Sequence, residues 1–418
     1  MILKLARKSL WNRRGTAILT LVSLAISVAL ILGINHLRHQ AKQSFTSTIS
    51  GTDLIVGARS GQANLLLYSV FRIGNATNNI TWESYEAIKK SRDIEWTIPL
   101  SLGDSHRGFR VLGTDHNYFD HYRYGDRRAL AFSAGGPFSS IYETVLGAQV
   151  ARELGYTIGQ EIVIAHGLGD VSFSMHDDKP FTVVGILEPT GTPVDRTVHV
   201  RLEGIEAIHL GWQHGARMPG RGVSAEEALQ RELEPEAITA FLVGLKSRMA
   251  TFRLQRAINE YRKEALTAIL PGVALAELWD VLGMVENMLI VVAFLVLLAT
   301  LVGMTTTLLS SMKERQRELA ILRAVGAHAG YLFALIEIEA LLLAAAGVAF
   351  GILLLSLSLF MLQPWLAAEY GLFISANPLN SEALLITAGV MLLAALLSLI
   401  PAMVAYRRAL ADGLSVRL

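Results

Sequence analysis

A helical membrane protein with four transmembrane helices and one inserted α/β domain outside the bilayer is the fold class this sequence predicts, on three observations. Hydrophobic residues make up 52 % of the 418 residues and charged ones only 17 %, with a mean hydropathy of +0.41, too apolar a balance for soluble domains of this length. Four uncharged apolar runs recur, each close to the roughly 20 residues that a helix rising 1.5 Å per residue needs to cross ~30 Å of hydrocarbon. Between the first two runs lies a segment of about 250 residues with ordinary globular composition, long enough to bury a core of its own. The formal net charge of +1 says little, because orientation depends on which loops carry Lys and Arg. With no cysteine, disulfides, thiolate metal sites and cysteine nucleophiles are excluded.

Residues 1–14 read as an amphipathic helix lying on a membrane surface. Ile2, Leu3, Leu5, Ala6 and Leu10 fall on one side of a helical wheel, Lys4, Arg7 and Lys8 on the other, and Trp11 at the edge. The first span, 15–36, contains the uncharged run Thr16–Ile34. The basic residues before it would also suit a signal peptide, but the apolar stretch is long and no small-x-small cleavage site follows, so it is read as an uncleaved anchor.

The outer segment, 37–283, opens with a helical tail over His36–Ser50 and a strand at Thr52–Val56. A helix is expected at Glu83–Lys90, started by Thr81, and another at Thr144–Gly155, ended by Gly155. Glu161–Ala165 and Phe181–Leu187 read as strands, followed by the breakers Pro189, Gly191 and Pro193. Glu236–Leu245 holds a strand-like run, and Arg248–Leu270 reads as a helix leading to the second span. Helices interleaved with short strands predict a small α/β or α+β domain.

The remaining spans are 284–311, 331–362 and 383–405. The segments 1–14, 312–330 and 406–418 hold Lys4, Arg7, Lys8, Arg13, Arg14, Lys313, Arg315, Arg317, Arg323, Arg407, Arg408 and Arg417, whereas 363–382 holds Glu369 and Glu382 and no Lys or Arg. The positive-inside rule therefore places both termini and 312–330 in the cytoplasm and 37–283 on the far face.

No G-x-x-x-x-G-K-[ST] loop occurs, so ATP binding through a phosphate-cradling loop is not expected of this sequence. The absence of G-x-S-x-G, H-E-x-x-H and G-x-G-x-x-G motifs removes the main support for hydrolase and dehydrogenase readings. His116 and His121 lie among Asp115 and Asp120, and His166 and His176 near Asp177 and Asp178. These spacings match no ligand motif, and no metal site is assigned. Glu337 and Glu339 precede the third apolar stretch. Acids at that depth need a partner, unless a helix starting near Tyr331 leaves both in the headgroup zone. Glu286, at the outer end of the second span, is read as interfacial. Gly347 and Gly351 form a small-x-x-x-small pair that lets two helix backbones approach closely.

The stretch Met312–Ala327 combines a charged first half, an amphipathic second half and a glycine break. It suits a short helix under the membrane on which a soluble partner could press. Its residues Glu314, Arg315, Arg317, Glu318, Arg323, Ala324, Gly326 and Ala327 resemble the E-R-x-R-E-x-x-x-x-R-A-x-G-A signature of the FtsX-like permeases of the MacB class of ABC transporters. The acid-Ala pair Glu339-Ala340 and the glycines Gly347 and Gly351 resemble that family's next span. Val145–Ala148, Ala151–Gly155, Gly159-Gln160 and Phe181–Leu187 resemble its periplasmic core domain.

The resemblance implies a MacB/FtsX-like fold in a bacterial inner membrane, with both termini cytoplasmic and a large periplasmic domain. It implies a homodimer of permease subunits working with a separate ABC ATP-binding subunit, as in the LolC and LolE lipoprotein-release permeases, because the ATPase domain that MacB carries ahead of its first span is not found here. ATP-driven closure of that partner would push on a coupling helix containing Lys313, Glu314, Arg315, Arg317, Glu318, Arg323 and Gly326, tilting the spans and moving the periplasmic domains. This is mechanotransmission for export or extraction of a substrate, with membrane lipid around the spans. In some relatives a periplasmic adaptor and an outer-membrane channel take part. A non-transporting regulator of an extracytoplasmic enzyme is the alternative, and a membrane-anchored enzyme ranks last for want of any catalytic motif. No cofactor and no nucleic-acid partner are expected.

Overall fold

The computed structural model describes residues 2–411 except 167–177, 211, 214–215, 218–222, 232, 315, 371–374 and 376. Its helices in chain order are α1 (Ile2–Asn12), α2 (Arg14–Thr48), α3 (Gln62–Ser69), α4 (Trp82–Lys89), α5 (Asn117–His121), α6 (Ala148–Leu154), α7 (Leu202–His209), α8 (Ala225–Leu229), α9 (Thr251–Asn259), α10 (Pro271–Glu314), α11 (Gln316–Ala324), α12 (Ala329–Tyr370) and α13 (Ser381–Ala411). The chain divides into two units. One comprises Met1–Ala41, Leu282–Trp365 and Ile374–Leu418, and the other Lys42–Val281 with Leu366–Phe373.

The second unit is built on a mixed sheet. Its main path runs Leu266–Ile269, Leu54–Ala58, Ala240–Leu245, Ile94–His106, Phe109–Thr114, Thr197–Arg201, Glu143–Leu146, Phe181–Leu187 and Phe132–Gly135. Most neighbours are antiparallel, but Thr197–Arg201 pairs in parallel with Phe109–Thr114, and Phe181–Leu187 with Glu143–Leu146. Phe181–Leu187 alternates buried and half-buried residues, as a strand with one covered face should. Leu54–Ala58 is buried throughout, having strand partners on both edges. α4 starts where Thr81 caps it by accepting the Ser84 N–H, with Glu83 in its first turn and Lys89 in its last to complement the helix dipole.

Two sequence expectations are corrected here. The helix read over Thr144–Gly155 begins only at Ala148; Glu143–Leu146 is a strand paired on both sides, and Gly147 turns the chain between them. A Cβ at Gly147 would lie 2.3 Å from the Val194 carbonyl oxygen, so the turn is compatible with glycine alone. Gly155 does end α6, in the left-handed conformation at φ +68°. The helix read over Arg248–Leu270 ends at Asn259, after which Leu266–Ile269 adds an edge strand beside Leu54–Ala58. That edge lies some 200 residues away in sequence, so local pattern could not disclose it.

Among the described residues, Arg14–Lys42, Pro271–Met312, Ala329–Gln363 and Ser381–Arg407 are four stretches long and apolar enough to cross a membrane. α2 and α12 run parallel, with successive contacts advancing along both. A Cβ at Gly347 would meet Leu24 at 2.6 Å, one at Gly351 would meet the Ala25 carbonyl oxygen at 2.8 Å and Val28 at 2.9 Å, and one at Gly33 would meet Leu355 at 3.3 Å. Ser27 and Thr300 join α2 to α10 through a 2.8 Å hydroxyl contact. Large apolar side chains such as Ile26, Met288, Leu353, Phe360 and Leu392 stand exposed, as lipid-facing positions require.

Candidate functional site

One end of the helical unit gathers the pieces that the sequence singled out. Met312 near the end of α10, Ile336 near the start of α12, and Ala402 and Ala405 near the end of α13 form one buried cluster. α11 is inserted between the first two, so the short helix is attached to three spans through their packed ends. It stops in a Schellman motif: the Ala327 N–H donates to the Leu322 carbonyl at 2.9 Å and the Gly326 N–H to the Arg323 carbonyl at 2.9 Å. Gly326 has φ +102°, and a Cβ there would meet nothing within 4 Å. Backbone conformation, not crowding, demands the glycine.

Lys313 and Glu314 close α10, Arg317 lies in the first turn of α11, and Arg315 lies outside the described residues. Glu318 is exposed and Arg323 half-buried. Ile321 on α11 and Val325 just past its end are 63 % and 83 % exposed, an apolar pair four residues apart in a stretch otherwise rich in charge. Sequence reading missed this pair, although apolar residues at i and i+4 among charges were the available signal.

Both acids of the third span have partners within the helical unit. Glu339 is buried, and its Oε2 lies 3.2 Å from Arg13 Nη2, which also reaches Ser9 Oγ at 3.4 Å. Glu337 Oε1 accepts a hydrogen bond from Ser398 Oγ of α13 at 2.9 Å. Glu339 thus has the partner that the sequence asks of an acid at this place in the third span. Arg13 counted in the sequence only as one more positive-inside charge, and nothing local singled it out as a partner. Glu286 pairs with Arg38 at 3.0 Å toward the opposite end of α2 and α10.

Several described histidines of the outer unit meet aromatic rings. His116 meets the Phe138 ring edge-on and His121 stacks on Trp96. His199 is fully buried, and burial holds its pKa down at about 3. Among the described residues no group of three His, Asp or Glu could hold a metal ion; His176 and Asp177 lie outside them.

Asp115 has one carboxylate oxygen sealed from solvent without a hydrogen-bond partner, and burial raises its pKa to about 7 against a partial opposing pull from Lys89. A folded-state pKa above the unfolded one means that the folded state holds the extra proton, so stability should fall as pH rises from about 4 through about 7. In thermal melts of the detergent-purified chain between pH 5.5 and 8, Asp115→Asn should flatten this slope. An unchanged slope would count against the assignment.

A MacB-like periplasmic core domain matches residues 17–260, and an FtsX-like permease C-terminal domain matches 290–410. The chain belongs to the FtsX/MacB class of ABC permeases. The second match spans α11 and the ends of the three helices packed around it. Among solved structures, the permease is similar to the periplasmic region of MacB from Actinobacillus actinomycetemcomitans, at 11 % identity and TM-score 0.35, covering 55 % of this chain and 94 % of that one. It is also similar to the extracellular domain of the noncanonic ABC-type transporter YknZ from Gram-positive bacteria, at 13 % identity and TM-score 0.31, covering 52 % and 99 %. No curated protein matches the chain. Permeases of this family are components of ABC transporters and partner with an ABC ATP-binding subunit.

Proposed function

We propose that this permease couples ATP hydrolysis by a separate ATP-binding subunit to conformational change in its outer domain, for export or extraction of a substrate from the periplasmic side. The observation that carries the reading is α11, a short helix offering charge and two exposed apolar side chains, stopped at Gly326 and attached to the packed ends of three spans. A partner pressing on it would act on α10, α12 and α13 together. Pairs of described polar groups inside the helical unit engage one another, as Ser27 does Thr300, Arg13 does Glu339 and Ser398 does Glu337. That suits force transfer better than a polar substrate path between the spans. The permease works as a homodimer with two ATPase copies, in a bacterial inner membrane, with both termini and 312–330 in the cytoplasm.

Two measurements test this reading. A topology reporter inserted within 312–330 should be cytoplasmic and one within 218–222 periplasmic; a cytoplasmic signal from the second site would reject the orientation. The purified chain alone should hydrolyse no ATP, whereas co-expression with its ATPase should yield an active complex. Robust turnover by the lone chain would reject the division of labour.

A further inference from the structure

Arg13 is the single residue between α1 and α2. Its N–H donates to the Leu10 carbonyl at 3.2 Å, and its own carbonyl accepts from the Ala17 N–H at 3.0 Å and from Thr16 Oγ1 at 3.1 Å. It is thus the hinge at which the surface helix turns into the first span. A hinge arginine present only to satisfy the positive-inside rule would reach for water. This one is 17 % exposed, and its guanidinium lies against a carboxylate that is 1 % exposed and belongs to the third span, 326 residues further along the chain. Burying that acid costs free energy unless a cation accompanies it.

We infer that Arg13 is a positioning residue: held by Glu339, it ties the α1–α2 hinge to the third span, so that the tilt of α1 follows the movement of α12. The inference rests on the reading of α11 as the lever. The packing beyond the ion pair explains why α1 is the part that would move. Leu24 and Val28 of α2 sit on Gly347 and Gly351 of α12 without room for a Cβ, so the two helices travel as one body. α1 continues from the end of that body beyond Arg13, with Ala6 and Ser9 buried on one side of it. Leu3 and Trp11 stand 60 % and 73 % exposed on it, side chains suited to the membrane interface, so a change of tilt would be passed to the lipid surface.

The chain contains no cysteine, which allows spin labels to be placed without background. In the permease–ATPase complex in vesicles, Lys8→Cys with Ile26→Cys reports the α1–α2 angle, and Ile321→Cys with Thr306→Cys reports movement of α11 against α10. Trapping the ATPase with ATP and vanadate should shift both distances. Glu339→Gln should abolish the first shift and leave the second, while Arg13→Lys, which keeps the charge, should retain both. If Glu339→Gln does not accumulate, Arg13→Gln makes the same test. A second shift without a first, or a first shift that persists in Glu339→Gln and Arg13→Gln, overturns the inference. A silent second pair in an ATP-hydrolysing complex overturns the lever reading itself, and this inference with it.

Discussion

Reversing Arg315 and Arg317 to glutamate in the assembled transporter is expected to weaken binding of the ATPase or uncouple hydrolysis from the permease, while leaving the isolated permease as stable as before. Both residues belong to the sequence signature over 314–327, which contains the element proposed to take the push. Where the ATPase offers acids to these positions, the substitution turns attraction into repulsion, worth about 2–5 kcal/mol at a tight docking surface. Thermal stability of the lone permease should move by no more than about 0.5 kcal/mol, since surface changes away from a core rarely do more. Pull-down of the ATPase, substrate-stimulated turnover and detergent melts read the three quantities separately. A correctly inserted double variant with normal binding and coupling would remove this helix from the mechanism. Ile321→Ser with Val325→Ser, made separately, measures the apolar share of the same surface.

Gly351→Leu should damage the protein at its foundation. The Cβ alone would come 2.8 Å from the Ala25 carbonyl oxygen and 2.9 Å from Val28 Cβ, and the backbone oxygen cannot swing aside as a flexible side-chain tip can. α2 and α12 would have to separate, at a cost of about 3 kcal/mol or more from overpacking and lost contact. The variant should accumulate poorly or melt well below the parent. Gly389→Leu in α13 is the control. It meets nothing within 4 Å, so the better helix propensity of leucine should make it neutral or slightly stabilising. Equal behaviour of the two variants would mean that close approach of α2 and α12 is not what Gly351 provides.

The apolar runs, the glycine stop at Gly326, the Thr81 cap, the Gly155 helix end and the strand at Phe181–Leu187 were legible because each is a local rule: hydrocarbon thickness fixes span length, φ fixes where glycine must stand, and a β-rich run bounded by Pro and Gly marks a strand. The signature in 312–327 and the matches around Val145 and Phe181 were enough to reach the family. Non-local pairing was not legible. The long strand Ile94–His106 and its neighbour Phe109–Thr114 carry no local signal that marks them, and Leu266–Ile269 reads as helix, because a strand inside a mixed sheet is defined by partners brought from elsewhere in the chain.

The sequence by itself determined that the chain carries four stretches fit to cross a membrane, a domain between the first two, and a charged helix between the second and third, since composition and periodicity are properties of neighbours along the chain. Only the tertiary structure decided what the acids and glycines of the third span meet. Glu339 is matched to Arg13 between α1 and α2, Glu337 to Ser398, and Gly347 and Gly351 to the first span, because a buried charge or a missing Cβ acquires its meaning from the group that folding brings opposite to it.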